Sequence, residues 1–286
     1  MPVRRARQVG CHVFVAGGLA RALRRAEERG CDAVQIFPSN PRGWAVPACD
    51  PAEEAAWRDA IARRRMVSFV HAPYLVNLAS RDPAVHERST ANLEFALSRA
   101  ARLGAEGVVV HVGSAGDDDR AVALRRAAHT ILRLLDRVDG TDVLVEMTAA
   151  SGNLLAGTVE QVAELVAACE HHPRVRVCVD TCHLFAAGVD LTRPAGRTAL
   201  RAELRELGPE RVAVVHVNDS RDALGSRRDR HARIGTGTIG TDALGIVVRM
   251  PELRHTPLLL ETPGDAREQR NDVARLRALA GPAARR

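Results

Sequence analysis

No lysine occurs among the 286 residues; all 41 basic side chains are arginine. That absence excludes any mechanism that runs through a lysine amine. Aromatic residues make up only 3% of the chain, too few for a broad base-stacking platform. No apolar run approaches the roughly 20 residues that cross a bilayer. The opening MPVRRARQVG leads into no long apolar segment, so neither a signal peptide nor an anchor is expected. The six cysteines, at 11, 31, 49, 169, 178 and 182, include no C-x-x-C pair. Mostly buried thiols in a reducing cytoplasm are therefore expected. A thiolate ligand at Cys178 or Cys182, which flank Asp180, stays open. No linker, low-complexity tract or break in composition divides the chain. A single domain over 1–286 follows, with fraying confined to the first few residues and the GPAARR tail.

What is present is a hydrophobic fraction of 46%, enough for a sizeable core, and a formal charge of +6. With a pI near 9.5, an anionic partner such as nucleic acid fits, although gene base composition alone can enrich arginine. Short apolar runs at 9–14, 33–37, 66–72, 107–112, 143–147, 175–180, 212–217 and 257–261 read as buried strands. Segments rich in Ala, Leu, Arg and Glu lie between them, as at 18–29, 53–65, 83–102, 120–138 and 158–169, and read as helices. Eight strands, each followed by a helix, predict a (β/α)₈ TIM barrel. A doubly wound open sheet is the competing arrangement.

The strand ends carry the chemistry. From the third run onward they bring His71, His111, Glu146, Asp180 with His183, His216 and Glu261. A barrel gathers the C-terminal ends of its strands on one face, so these six tips converge. Taken singly, each is an ordinary polar residue closing a strand. After His216 comes a polar, arginine-rich loop holding Asp229-Arg230-His231, in which residues two apart face the same way when the backbone is extended. Carboxylates and imidazoles together suit zinc, and nine candidate ligands are too many for one four-coordinate ion. A multinuclear site is expected. The plainer alternative for the loop alone is a solvated basic segment with a structural histidine. Glycines 235, 237 and 240 let the backbone turn tightly into the next element.

The stretches EMTAASGN, CVDTCHLFAAGVDL and HVNDSRDALGSRRDRHARIGTGTIG resemble motifs of the endonuclease IV family of apurinic/apyrimidinic DNA-repair enzymes. HVFVAGGLARAL, SNPRGW and HAPYLVNLAS are similar to further family segments in the same order, so the resemblance runs from about residue 9 to 265. It implies a TIM barrel with three zinc ions, one or more replaceable by manganese or iron. By the resemblance, His71, His111 and Glu146 hold one ion, and Glu146 bridges to a second held also by Asp180, His216 and Glu261. His183, Asp229 and His231 hold the third. Phe14, Val112, Met147 and Ala150 depart from the family pattern near the mouth, and none of them is a ligand.

The implied reaction is hydrolysis on the 5′ side of an abasic site, leaving a 3′-hydroxyl and a 5′-deoxyribose phosphate, with removal of blocked 3′ ends at the same centre. Glu261 is the expected catalytic group, orienting or deprotonating water, and Glu146 the bridging one. The implied partner is damaged duplex DNA, met by a cytoplasmic monomer, at the nucleoid if bacterial. An abasic nucleotide must be extruded to be reached, and Arg42, Trp44 and Tyr74 are candidates to fill the gap. Arg227, Arg228, Arg230 and Arg233 are candidate phosphate contacts, or else merely balance nearby acids. Arg24-Arg25 and Arg125-Arg126 read as solvated helix faces, and Asp117-Asp118-Asp119 as a helix start. Two other functions stay open: a metal-dependent sugar isomerase or epimerase, and a damage-binding protein with idle metals.

Overall fold

Helix starts are set locally by acidic caps. In the computed structural model, which describes residues 7–281, Asp50, Asp82, Asp119 and Asp265 each accept backbone N–H groups of the turn they begin. The triple aspartate behaves as expected: Asp119 caps a helix, while Asp118 pairs with Arg126. Expected fraying of the first few residues and of the tail beyond Gly281 lies outside the described residues.

The elements run β1 (Val9–His12), α1 (Leu19–Glu28), β2 (Ala33–Ile36), α2 (Pro51–Arg64), β3 (Val67–His71), α3 (Pro83–Leu103), β4 (Gly107–Val110), α4 (Arg120–Leu135), β5 (Asp142–Glu146) and α5 (Val159–Ala168). They continue with β6 (Val175–Asp180), α6 (Thr181–Ala187), α7 (Pro194–Leu207), β7 (Val212–His216), β8 (Asp219–Ser220), β9 (His231–Ala232), α8 (Thr241–Val248), β10 (Leu258–Leu260) and α9 (Ala266–Ala280). Eight parallel strands close in the order β1-β10-β7-β6-β5-β4-β3-β2. The chain is a TIM barrel, not an open sheet. Most strands stop short of the apolar runs that announced them, so His111 and Glu261 sit one residue beyond β4 and β10. Two elements were not anticipated: the helical segment after β6 is split in two, and β8 pairs with β9 as a small hairpin in the loop after β7.

Two apolar layers hold the barrel. The larger lies between strands and helices; the smaller fills the interior with Ala33, Phe69, Val109, Leu144, Cys178, Ala213, Val214 and Leu259. Strand side chains alternate, so, apart from Ala213, which the β6–β7 pairing skips, the residue two positions after each interior one must also point inward. Ala33 is thus followed by Gln35, Phe69 by His71, Val109 by His111 and Leu144 by Glu146. Likewise Cys178 leads to Asp180, Val214 to His216 and Leu259 to Glu261. Gly10, whose missing Cβ would fall 1.6 Å from the Ala33 carbonyl oxygen, leads to His12. A register shift between β6 and β7 at Val177/Cys178 puts Asp180 opposite His216; an unshifted pairing would have put Val215 there and turned His216 away. The site is therefore the next layer above the core.

Candidate metal centre

Glu146 is the hub of that layer and is wholly buried. Its Oε2 lies 3.1 Å from His71 Nε2 and 2.9 Å from His111 Nε2; its Oε1 lies 3.0 Å from His216 Nδ1. Burial alone would push this carboxyl up, yet the imidazoles of His111 and His216 hold it well below the ordinary carboxylate range. Among the described residues, three groups made only of imidazole and carboxylate ligand atoms form, each within 4.8 Å of one another: His71, His111 and Glu146; Glu146, Asp180, His216 and Glu261; and His183, Asp229 and His231. All nine residues singled out in the sequence come together.

The far nitrogen of four imidazoles is tied to a carbonyl. His71 Nδ1 donates to Ala72 O at 2.7 Å, and His183 Nδ1 to Met147 O at 2.8 Å. His231 Nδ1 reaches Glu261 O at 3.4 Å, and His216 Nε2 donates to the Gln35 side-chain oxygen at 2.9 Å. Each ring is thereby oriented with its other nitrogen toward the carboxylates, the arrangement that prepares histidine to ligate a metal. Nε2 of His183 and of His231 lie 3.1 and 3.0 Å from Asp229 Oδ1, yet both are buried without a well-directed hydrogen bond. Buried ring nitrogens without partners are costly, and a cation among these three side chains removes the cost. Nitrogen and oxygen donors in threes and fours fit zinc. Cys178 Sγ and Cys182 Sγ lie near the same ligands, but burial pushes both thiols up, Cys178 to about 12.

Residues outside the nine complete the framework. Asn218 donates its amide to Asp180 Oδ2 at 2.7 Å and accepts the Glu261 N–H at 2.9 Å. Gln35 donates to Glu261 Oε1 at 2.6 Å and lies 3.1 Å from His12 Nδ1. Burial takes His12 down to about 3, so it is neutral and accepts. Asp180 also caps α6, taking the His183 N–H at 2.8 Å, which couples two of the metal groups. The loop after β7 is organised by Asp219, whose buried carboxylate accepts N–H groups of Ser220, Gly235, Gly237, Ile239 and Gly240. None of Gln35, His12, Asn218 and Asp219 was anticipated.

The nucleic-acid candidates divide. Arg42 is exposed beside Tyr74, which is 47% exposed and whose N–H donates to Pro41 O; the Tyr74 ring packs edge-on against His71 and Phe37. Trp44 is half-buried, its carbonyl accepting from Asn92. Arg227 and Arg228 are exposed, Arg228 at 4.0 Å from Asp222. Arg230 is committed to Asp222, and Arg233 to Glu268 and Asp272 of α9, so these two balance local acids. Two helix arginines read as solvated also have structural partners: Arg25 donates to Phe14 O and Ala16 O, and Arg126 to Ala79 O. Ala150 adopts φ +53°, the left-handed region that favours glycine, while Phe14 is 69% exposed.

A family model described as the xylose isomerase-like TIM barrel matches residues 23–279. A probable endonuclease 4 from Streptomyces coelicolor is 43% identical over 277 residues, 95% of this chain and 94% of that protein. The crystal structure of endonuclease IV from Thermus thermophilus superposes with a TM-score of 0.84 at 38% identity, covering 95% of this chain and 98% of that one. A D-psicose 3-epimerase structure matches at TM-score 0.68 and 16% identity, covering 95% of this chain and 96% of its own; that likeness is one of fold. Matched over almost its whole length in sequence and in backbone, the chain belongs to the endonuclease IV family, enzymes built on the xylose isomerase-like TIM barrel.

Proposed function

We propose that this protein is a three-zinc hydrolase that cuts DNA on the 5′ side of abasic sites, leaving a 3′-hydroxyl and a 5′-deoxyribose phosphate, and that it clears blocked 3′ ends at the same centre. The observation that carries the reading is a pair of ligand groups sharing Glu146 and a third coupled to them through Asp180, with the outer nitrogens of four histidines already tied down. His71, His111 and Glu146 would hold one ion, Glu146, Asp180, His216 and Glu261 a second, and His183, Asp229 and His231 a third. Manganese or iron could replace zinc at one or more of these positions. When bound, the ions supply Lewis acidity at both the attacking and the departing oxygen of the phosphodiester.

The protein's own groups do the rest. Glu261 is 11% exposed at the mouth and is held ionised: burial would raise it, but His216 outweighs that and keeps it far below the carboxylate range. It can orient the attacking water and accept its proton. Glu146 is fully enclosed and so cannot touch substrate; its part is to hold the ions. Arg42 and Tyr74 would enter the duplex where the abasic nucleotide leaves it, with Trp44 behind them and Arg227 and Arg228 toward the phosphates. The protein would act as a monomer at the DNA of the cytoplasm.

A nicking assay on abasic duplex DNA tests this, with elemental analysis expected to give three metals per chain. Chelator should abolish cutting. Glu261→Gln should lower the rate by about 10²- to 10⁴-fold while DNA affinity is retained. That affinity should weaken as salt rises, because phosphate contacts release counterions. Turnover of a ketose in place of DNA, or cutting indifferent to chelator, would overturn the assignment.

A further inference from the structure

On the side of β1 away from the metal centre, two thiols meet. Cys11 points outward, packed with Val9 and Val13 in the layer between strands and helices, whereas its neighbour His12 faces the mouth. Cys31 stands in the turn between α1 and β2, its N–H donating to Ala26 O, and the N–H of the next residue, Asp32, donating to Val9 O. Their Sγ atoms are 3.6 Å apart across 20 residues of chain. Cys11 is buried and Cys31 partly exposed. A cleft of about 560 Å³ lined by Arg29, Gly30, Arg270 and Arg277 lies at the start of the same turn.

We propose that Cys11 and Cys31 form a peroxide-reactive dithiol, with Cys31 as the attacking sulfur and Cys11 as the resolving one, oxidised to an internal disulfide that ties β1 to the α1–β2 turn. The asymmetry of the pair supports these roles, since Cys31 is partly exposed to reagent and Cys11 is buried behind it. The Cys31 thiol is lowered, first by its hydrogen bond with Cys11 and also by Arg29, while that same bond and burial push the Cys11 thiol well up. The thiolate is the nucleophile. In contrast, burial raises Cys49, Cys169, Cys178 and Cys182.

The electrons balance with hydrogen peroxide as oxidant. The Cys31 thiolate attacks one peroxide oxygen; an S–O bond forms, the O–O bond breaks, and the departing hydroxide takes up a proton as water. Cys31 is then a sulfenic acid. The Cys11 sulfur attacks it; the S–S bond forms, the S–O bond breaks, and a second water carries away the Cys11 proton. Two thiols and one peroxide give one disulfide and two waters.

Peptide mapping of the metal-loaded, full-length protein after limited hydrogen peroxide tests this independently of any nuclease activity. Cleavage after arginine places Cys11 alone in residues 8–21 and Cys31 alone in residues 30–42. The two peptides should appear joined, two hydrogens lighter than their sum and separable by dithiothreitol, before Cys49 reacts. Cys31→Ser should leave Cys11 reduced. Cys11→Ser, or Cys11→Ala should that variant fold better, should leave Cys31 as a sulfenic acid captured by a cyclic dicarbonyl reagent. Closing the loop should raise the melting temperature by several degrees. Both thiols remaining open to alkylation after unfolding, once Cys49 has oxidised, would overturn the proposal; so would Cys11 reacting as readily without Cys31.

Discussion

Gln35 uses both donor positions and the oxygen of its amide. The NH₂ group serves Glu261 Oε1 at 2.6 Å and His12 Nδ1 at 3.1 Å, and the oxygen accepts from His216 Nε2 at 2.9 Å. This holds His216 in the tautomer whose Nδ1 faces Glu146 and keeps one oxygen of Glu261 fixed. Gln35→Leu removes both restraints and takes a hydrogen bond from each of three groups, His216 Nε2, His12 Nδ1 and Glu261 Oε1. The expected result is a fall of about 10- to 100-fold in kcat with KM for DNA nearly unchanged, accompanied by weaker retention of the ion between Glu146 and Glu261. Gln35→Glu should do worse, since it sets a carboxylate against a carboxylate. Steady-state kinetics and metal content of the two variants check this, and wild-type metal retention with a raised KM would place Gln35 in substrate binding instead. Nothing in AVQIF marks this residue: the inward residues before Gln35 and His12 are Ala33 and Gly10, too small to signal which way their strands face.

At the scale of elements, the loop from β8 to α8 presents Asp229 and His231, and it is built around Asp219. Five backbone N–H groups converge on that one carboxylate, three of them from Gly235, Gly237 and Gly240. The glycines are needed for close approach as well as for turning: a Cβ at Gly237 would lie 2.3 Å from Ser220 O and 2.6 Å from Asp219 Oδ1. Asp219→Ala leaves several amides unpaired in a buried setting, a loss of roughly 3 kcal/mol. Denaturant unfolding should show it, and the ion at His183, Asp229 and His231 should be the first lost in a chelator titration. Equal loss from all three positions would mean that the loop does not act as a unit. The strand tips from β3 onward are legible in the sequence because His, Asp or Glu closing an apolar run is conspicuous, and a barrel must gather such ends. Asn218 and Asp219 are not, because Asn and Asp after a strand signal a turn wherever they occur. Only the folded loop shows which backbone groups they collect. His183 stands between these cases: it rises from α6 rather than a strand, and is visible only by its closeness to Asp180.

For the molecule as a whole, the centre sets a problem of charge. Glu146, Asp229 and Glu261 are held ionised in or beside the interior, and without metal their charge is met by imidazoles that bind protons tightly. For His71, His183 and His216 burial would favour the neutral ring, but their neighbours win and all three are raised, by carboxylates at His71 and His183 and by Cys178 with Glu261 and Glu146 at His216. His231, opposed by burial in the same way, is carried up to about 9 by Asp180 and Asp229. An imidazole whose folded value exceeds its ordinary 6.5 stabilises the fold fully below that pH and loses the contribution as pH passes its folded value. Metal-free protein should therefore stay folded near neutrality, with protons standing in for cations, and its melting temperature should fall between about pH 6.5 and 9 as His231 is released. Zinc-loaded protein should not decline over that window, because a ligand imidazole is already deprotonated. Zinc affinity should rise by roughly tenfold per pH unit for each proton displaced, up to the same limit. Melting curves of chelated and loaded protein across this range, with calorimetry in two buffers to count protons released, decide the matter. A metal-free melting temperature that does not change from pH 6.5 to 9 would mean that the carboxylates are neutralised by something other than these histidines.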